Sequence, residues 1–104
     1  MEEYKIDVSE PAENDLLDIV GYISAQLSVP VTALKMMEAI EDAISRLSYM
    51  PQSYPPVTDG RLSRMGYRKL IVKNYIVFFT VNEKEKIVDV ERILDGRRNW
   101  LNIL

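Results

Sequence analysis

The spacing of apolar residues changes period along the chain, and the switch from two helical stretches to strand-like runs restricts the fold to one class. Ala12, Leu16, Val20, Ile23 and Leu27 recur at three and four, and so do Ala33, Met37, Ile40, Ile44 and Leu47. Each set forms one buried stripe on a helix. From Tyr67 onward, runs rich in β-branched and aromatic residues take over, and these read as strands. Local signals set the boundaries. Tyr4–Val8 alternates as a short strand, with Tyr4, Ile6 and Val8 on one face. Ser9 caps the first helix, and Pro11 fits its first turn. Glu10, Glu13, Asp15 and Asp18 lie near the positive end of its dipole. That helix runs to about Gln26, and Ser28-Val29-Pro30 breaks it. The second runs from about Val31 to Tyr49 and ends before Pro51. Two such helices with a short connection predict an antiparallel hairpin.

The segment to Leu62, with Pro55, Pro56 and Gly60, reads as an irregular connection. Three strands follow at Tyr67–Val72, Tyr75–Val81 and Ile87–Leu94. Lys73-Asn74 makes a two-residue turn and Asn82–Lys86 a polar one. Arg97–Leu104 is a short terminal helix or tail. The order predicts one α+β domain over residues 1–104: an N-terminal strand at a sheet edge, a helical hairpin on one face, and an antiparallel meander. With that turn, Val72 pairs with Tyr75, Leu70 with Val77 and Arg68 with Phe79. The opposite face carries Tyr67, Lys69, Ile71, Ile76, Phe78 and Thr80, apolar enough that something should cover it.

The chain has 104 residues with no Cys and no His. Disulfides, thiolate chemistry, imidazole metal sites and Ser-His-Asp triads are therefore excluded. No apolar run approaches the ~20 residues of a membrane span, and Met1-Glu2-Glu3 is unlike a signal peptide. A cytoplasmic protein without metal or cofactor is expected. The formal net charge of -3 hides a split. Residues 1–60 hold three bases against eleven acids, whereas residues 61–104 hold ten bases against five acids. Either one surface suits an anionic partner, or the charges intermix on folding.

Arg92, Arg97 and Arg98 crowd the end of the last strand. With Arg68 they form a candidate guanidinium cluster for phosphate or carboxylate. The blander reading pairs the three with Glu91, Asp95 and Asp89, and strand parity sets Arg92 beside Val88 and Val90 as a structural ion-pair partner. Asp89 and Glu91 share a strand face, but nothing completes an oxygen cage around a metal. Tyr67-Arg68-Lys69 with Tyr75 mixes aromatics and bases as single-strand binders do, but ordinary strand packing is the better account of them. Leu101 and Leu104 are expected to fold back over the core, and Trp100 is either an interaction anchor or part of that cap. Met36 and Met37 read as packing residues. No Gly-rich phosphate loop or nucleophile elbow is present.

The element order, together with Gly66-Tyr67-Arg68-Lys69-Leu70, Tyr75-Ile76-Val77-Phe78-Phe79 and Arg92-Ile93-Leu94-Asp95-Gly96-Arg97-Arg98, resembles the RelE/ParE superfamily of bacterial type II toxin–antitoxin systems. The resemblance covers nearly the whole chain. It implies a growth-inhibiting toxin whose cognate antitoxin wraps it with an extended or helical tail. RelE-like members cut mRNA on the ribosome without a metal; ParE-like members poison DNA gyrase. The nuclease positions fall on Arg68, Ile76, Arg97 and Ile103. Arg68 and Arg97 fit as catalytic residues, but Ile76 and Ile103 stand where an Arg and a Tyr are expected. Metal-free RNA cleavage needs proton transfer as well as charge stabilisation, and no general base is evident unless Tyr67, Tyr75 or a Glu serves. The resemblance therefore leans to the ParE-like branch. It implies Arg92, Arg97, Arg98 and Trp100 as target contacts, and Ile76 and Phe78 as the antitoxin's docking surface. The alternatives are a ribosome-dependent nuclease and an inactive, antitoxin-binding member.

Overall fold

The computed structural model describes residues 3–27 and 30–104. The helix break expected at Ser28-Val29 lies outside the described residues, as do Met1, Glu2 and the side chain of Leu27. Strand β1 (Lys5–Val8) is followed by helices α1 (Glu10–Leu27) and α2 (Pro30–Ser45). A short helix α3 (Gly60–Arg64) precedes the meander of β2 (Arg68–Val72), β3 (Tyr75–Asn82) and β4 (Ile87–Asp95). The sheet order is β1-β4-β3-β2, with β1 parallel to β4 and the other pairs antiparallel. The register predicted for β2 and β3 holds: Val72 faces Tyr75, Leu70 faces Val77 and Arg68 faces Phe79. Lys73 supplies the left-handed residue of that turn, with φ 55°.

Ser9 begins α1 as its residue type predicts. Its Oγ accepts from the Ala12 N–H at 3.1 Å and donates to the Glu91 carbonyl at 2.8 Å. One side chain thus caps a helix and fastens it to β4. The most buried positions of α1 are Ala12, Asp15, Ile19 and Ile23, while Leu16 and Val20 are only partly buried. The core-facing stripe is therefore rotated from the expected one and contains an acid. α2 ends at Ser45, and a 3-10 turn at Arg46–Ser48 carries Leu47 into the core. The connection expected to be irregular contains α3, capped where the Asp59 carboxylate accepts from the Leu62 N–H at 3.0 Å.

The sheet separates two apolar layers. Under the helices lie Ala12, Ile40, Leu47, Val77, Phe79, Val88, Val90 and Ile93. On the other face Val57, Leu62, Phe78 and Leu94 are buried, with Tyr67, Ile76, Trp100, Ile103 and Leu104 packed around them. Much of the face expected to await a cover is thus covered by the chain itself, although Ile71 stays 63% exposed. Trp100, Ile103 and Leu104 do the capping, whereas Leu101, expected among them, is exposed. At the sheet's β1 end, the Tyr4 hydroxyl donates to Glu83 at 2.7 Å and accepts from Gln52 at 2.6 Å. This ties the first strand to the β3–β4 turn.

Candidate functional site

The end of β4 is shaped by a slip in register. Phe79 faces Val90 but Phe78 faces Arg92, so Glu91 has no partner on β3. This bulge breaks the parity read from the sequence. Ile93, not Arg92, joins Val88 and Val90 in the helix-side core. Arg92 instead meets α1: its Nε and Nη2 donate to the two oxygens of Asp15 at 2.7 and 2.8 Å. Asp15 also accepts from the Ile93 N–H at 2.9 Å. The carboxylate raises the Arg92 pKa, so that guanidinium stays charged. The structural reading of Arg92 is correct, but its partner is Asp15 rather than Glu91, Asp95 or Asp89. Burial, and then Asp89 nearby, raises the Glu91 carboxyl pKa. No cluster able to hold a metal ion is found among the described residues.

Beyond the strand, Gly96 donates to the Asn74 carbonyl at 2.9 Å, which pins the segment to the β2–β3 turn. Asp95 then organises the arginines. Its Oδ1 accepts from the Arg97 N–H and Nε, and its Oδ2 from Arg97 Nη2 at 2.8 Å. Those bonds hold the Asp95 pKa at about 2. Arg97 is therefore exposed but already paired. Arg98 is exposed, and its guanidinium makes no hydrogen bond with the described residues. Trp100 lies on Phe78, with ring centroids 5.2 Å apart and planes at 41°.

Arg98 borders a cleft of about 240 Å³ between α1 and the end of β4. Ile19, Tyr75 and Ile93 make its floor, beside Leu94, whose side chain packs on the other face of the sheet, and Asp15, Asp18, Tyr22 and Asp95 complete its walls. Arg92, Arg97 and Arg98 thus gather around the end of β4, with Arg98 on the helix-side cleft and Trp100 against Phe78 on the other face of the sheet. Arg68 does not join them. It faces Phe79, four strand steps from Tyr75 and the turn that anchors Gly96, roughly 13 Å along the strand. Its Nη1 donates to the Tyr54 carbonyl at 2.6 Å, and Tyr54 meets Phe79 edge-on. Tyr67 and Tyr75, the other aromatic–basic candidates, pack on opposite faces of the sheet.

Phe78 has no exposed surface and Ile76 is only partly exposed, because the C-terminal residues lie over them. The docking surface expected there is closed in this conformation. The larger open apolar feature, a groove of about 340 Å³, runs along β1 on the other flank of α1. Ile6, Val8, Leu16, Ile44 and Ile93 line it, with Glu13, Glu41 and Ser45 at its polar margin. Sequence reasoning found neither this groove nor the role of Asp15. The only signal for Asp15 was an acid at the boundary of the helical stripe, four residues before Ile19.

Comparison with known proteins identifies the arrangement. The family model described as the ParE toxin of the type II toxin–antitoxin system parDE matches residues 6–100. The chain belongs to the ParE toxin family. No curated protein matches it significantly. Among solved structures, the ParE family's fold recurs in the chromosomal ParDE system of P. aeruginosa, at 20% identity and TM-score 0.75 over 89% of this chain and 96% of that one. The RelBE2 toxin–antitoxin complex of Mycobacterium tuberculosis is similar at 17% identity and TM-score 0.60, over 89% and 98% of the two chains. The RelE–RelB complex of Pyrococcus horikoshii OT3 is similar at 14% identity and TM-score 0.58, over 92% and 98%. This chain is thus a type II toxin of the ParE/RelE superfamily.

Proposed function

We propose that this toxin arrests growth by binding DNA gyrase, with Arg98 as the leading contact and Arg97, Asn99 and Trp100 around it. One observation carries the choice of target: the two arginines that fit a nuclease are far apart. Arg68 is engaged with the Tyr54 carbonyl at one end of the sheet, and Arg97 with Asp95 at the other. Phosphoryl-transfer chemistry needs its charge-stabilising groups converged on one phosphate. A binding surface has no such need, and an exposed arginine whose guanidinium makes no hydrogen bond is a common interface anchor. Membership of the ParE family supports the same choice. The reaction of the target is blocked by occupancy, so no metal or cofactor enters. No described helix is long and apolar enough to cross a membrane, in keeping with a target in the cytoplasm.

The antitoxin is assigned to the groove along β1. An extended peptide there finds apolar side chains and an edge strand at once. The similar ParDE, RelBE2 and RelE–RelB structures are toxin–antitoxin assemblies. The purified protein is expected to inhibit gyrase supercoiling, and Arg98→Glu is expected to weaken inhibition about tenfold or more. Full supercoiling at toxin concentrations that stop growth refutes the gyrase reading. Codon-specific mRNA breaks on translating ribosomes that disappear in Arg68→Ala with Arg97→Ala would put the nuclease in its place.

A further inference from the structure

Gly21 sits in the interior of α1, with six helical residues beyond it, and is exposed. A Cβ built there meets no atom within 4 Å. Nothing in the fold therefore requires a glycine, although glycine is the poorest helix former after proline. A local rule is broken without a structural reason inside the chain, and such breaks mark sites shaped by something outside it. The surroundings agree. Leu17, one turn earlier, is 65% exposed, and Tyr22 is 63% exposed. Tyr22 and Asp18 stand on the wall of the cleft that Arg98 borders. Asp18 and Arg98 form no ion pair with each other or with any described residue.

We infer that a helix of the target protein crosses α1 at Gly21 and inserts an apolar side chain into the cleft between α1 and β4. Missing side-chain bulk lets two helices approach closely, because interaxial distance follows the residues at the crossing. The cleft floor of Ile19, Tyr75 and Ile93 takes the apolar residue. The rim sets the charges: an acidic residue of the partner for Arg98 and a basic one for Asp18. This rests on the target reading above, since the cleft is continuous with the Arg97–Arg98 segment. The antitoxin groove lies on the other flank of α1, with Glu13 and Leu16.

The test uses the purified full chain, gyrase holoenzyme and the cognate antitoxin. Gly21→Ala is expected to raise the melting temperature by roughly 4 °C. Gly21→Leu is expected to melt no lower than the wild type yet to lose at least tenfold in supercoiling inhibition, with antitoxin affinity unchanged. Tyr22→Ala, at an exposed position, is expected to lose a similar factor. Wild-type inhibition by both Gly21→Leu and Tyr22→Ala overturns the inference while leaving the gyrase reading standing. Loss of antitoxin binding in Gly21→Leu with inhibition intact also overturns it, since the occupant is then the antitoxin. If the wild type arrests growth but leaves gyrase untouched, the target reading fails on its own. The surface is then judged by growth arrest: retained toxicity of Gly21→Leu overturns it, and lost toxicity with normal antitoxin binding supports it.

Discussion

The Asp15 carboxylate joins the first turns of α1 to the end of β4 by binding both the Arg92 guanidinium and the Ile93 N–H. In the sequence it is one of four acids near a helix start, where any acid complements the dipole. In the fold it is 8% exposed and holds Arg92 twice and the Ile93 N–H once. Its role was illegible because the partners lie 77 and 78 residues away. Only a side chain at the boundary of an apolar stripe could have hinted at it. Beyond Val90, β1 no longer pairs with β4. The Ser9 hydroxyl and the Asp15 carboxylate then serve backbone groups that a neighbouring strand would otherwise satisfy. Removing that carboxylate leaves a part-buried guanidinium and a buried N–H without an acceptor. Asp15→Ala is therefore expected to cost about 2–3 kcal/mol, at or below the low end for a broken buried pair because Arg92 is partly solvated. Urea unfolding measures it; a loss below about 0.5 kcal/mol would show that the pair contributes little.

At the scale of elements, the period of the apolar residues gave every strand and both long helices to within a few residues. The turn at Lys73-Asn74 gave the β2–β3 register as well. Three things escaped. The bulge at Glu91 leaves no mark in residue type, yet it moves Arg92 off the helix-side core and Ile93 into it. The short α3 is hidden in a segment whose prolines and glycine read as loop. The parallel pairing of β1 depends on where the chain returns after two helices, which no local pattern records. The tail was read halfway, since its apolar residues do cap a core but Leu101 is not among them. Trp100 therefore has two duties, as a cover for Phe78 and as a neighbour of the proposed target contact. Trp100→Ala is expected to destabilise by about 1–3 kcal/mol, less than a fully buried Trp, because the ring is only partly enclosed. The urea midpoint should fall with an unchanged slope. An unaltered midpoint would leave Trp100 as a contact residue alone.

Across the whole molecule, the charge split in the sequence becomes a division of surfaces. The acidic half builds β1 and the helical hairpin, and there the apolar groove is bordered by Glu13 and Glu41. The basic half builds the meander and tail, where several arginines are already committed to Asp15, Asp95 and the Tyr54 carbonyl. Folding thus consumes part of the positive charge and, apart from the buried Asp15, leaves the acids of the hairpin exposed. This distribution favours a peptide with alternating apolar and Lys or Arg residues in the groove, rather than an acidic one. Both glutamates are exposed, so reversing them should barely alter stability. Each rim charge pair is worth up to about 1 kcal/mol, so Glu13→Lys with Glu41→Lys should weaken antitoxin binding by roughly 10- to 100-fold at low salt. Screening should shrink that deficit as salt rises, because the lost term is Coulombic between solvated groups. Calorimetry at 50 mM and 500 mM salt is the measurement. Equal affinities of the double variant and the wild type at 50 mM would remove the antitoxin from this groove, while a deficit that ignores salt would assign the effect to packing rather than charge.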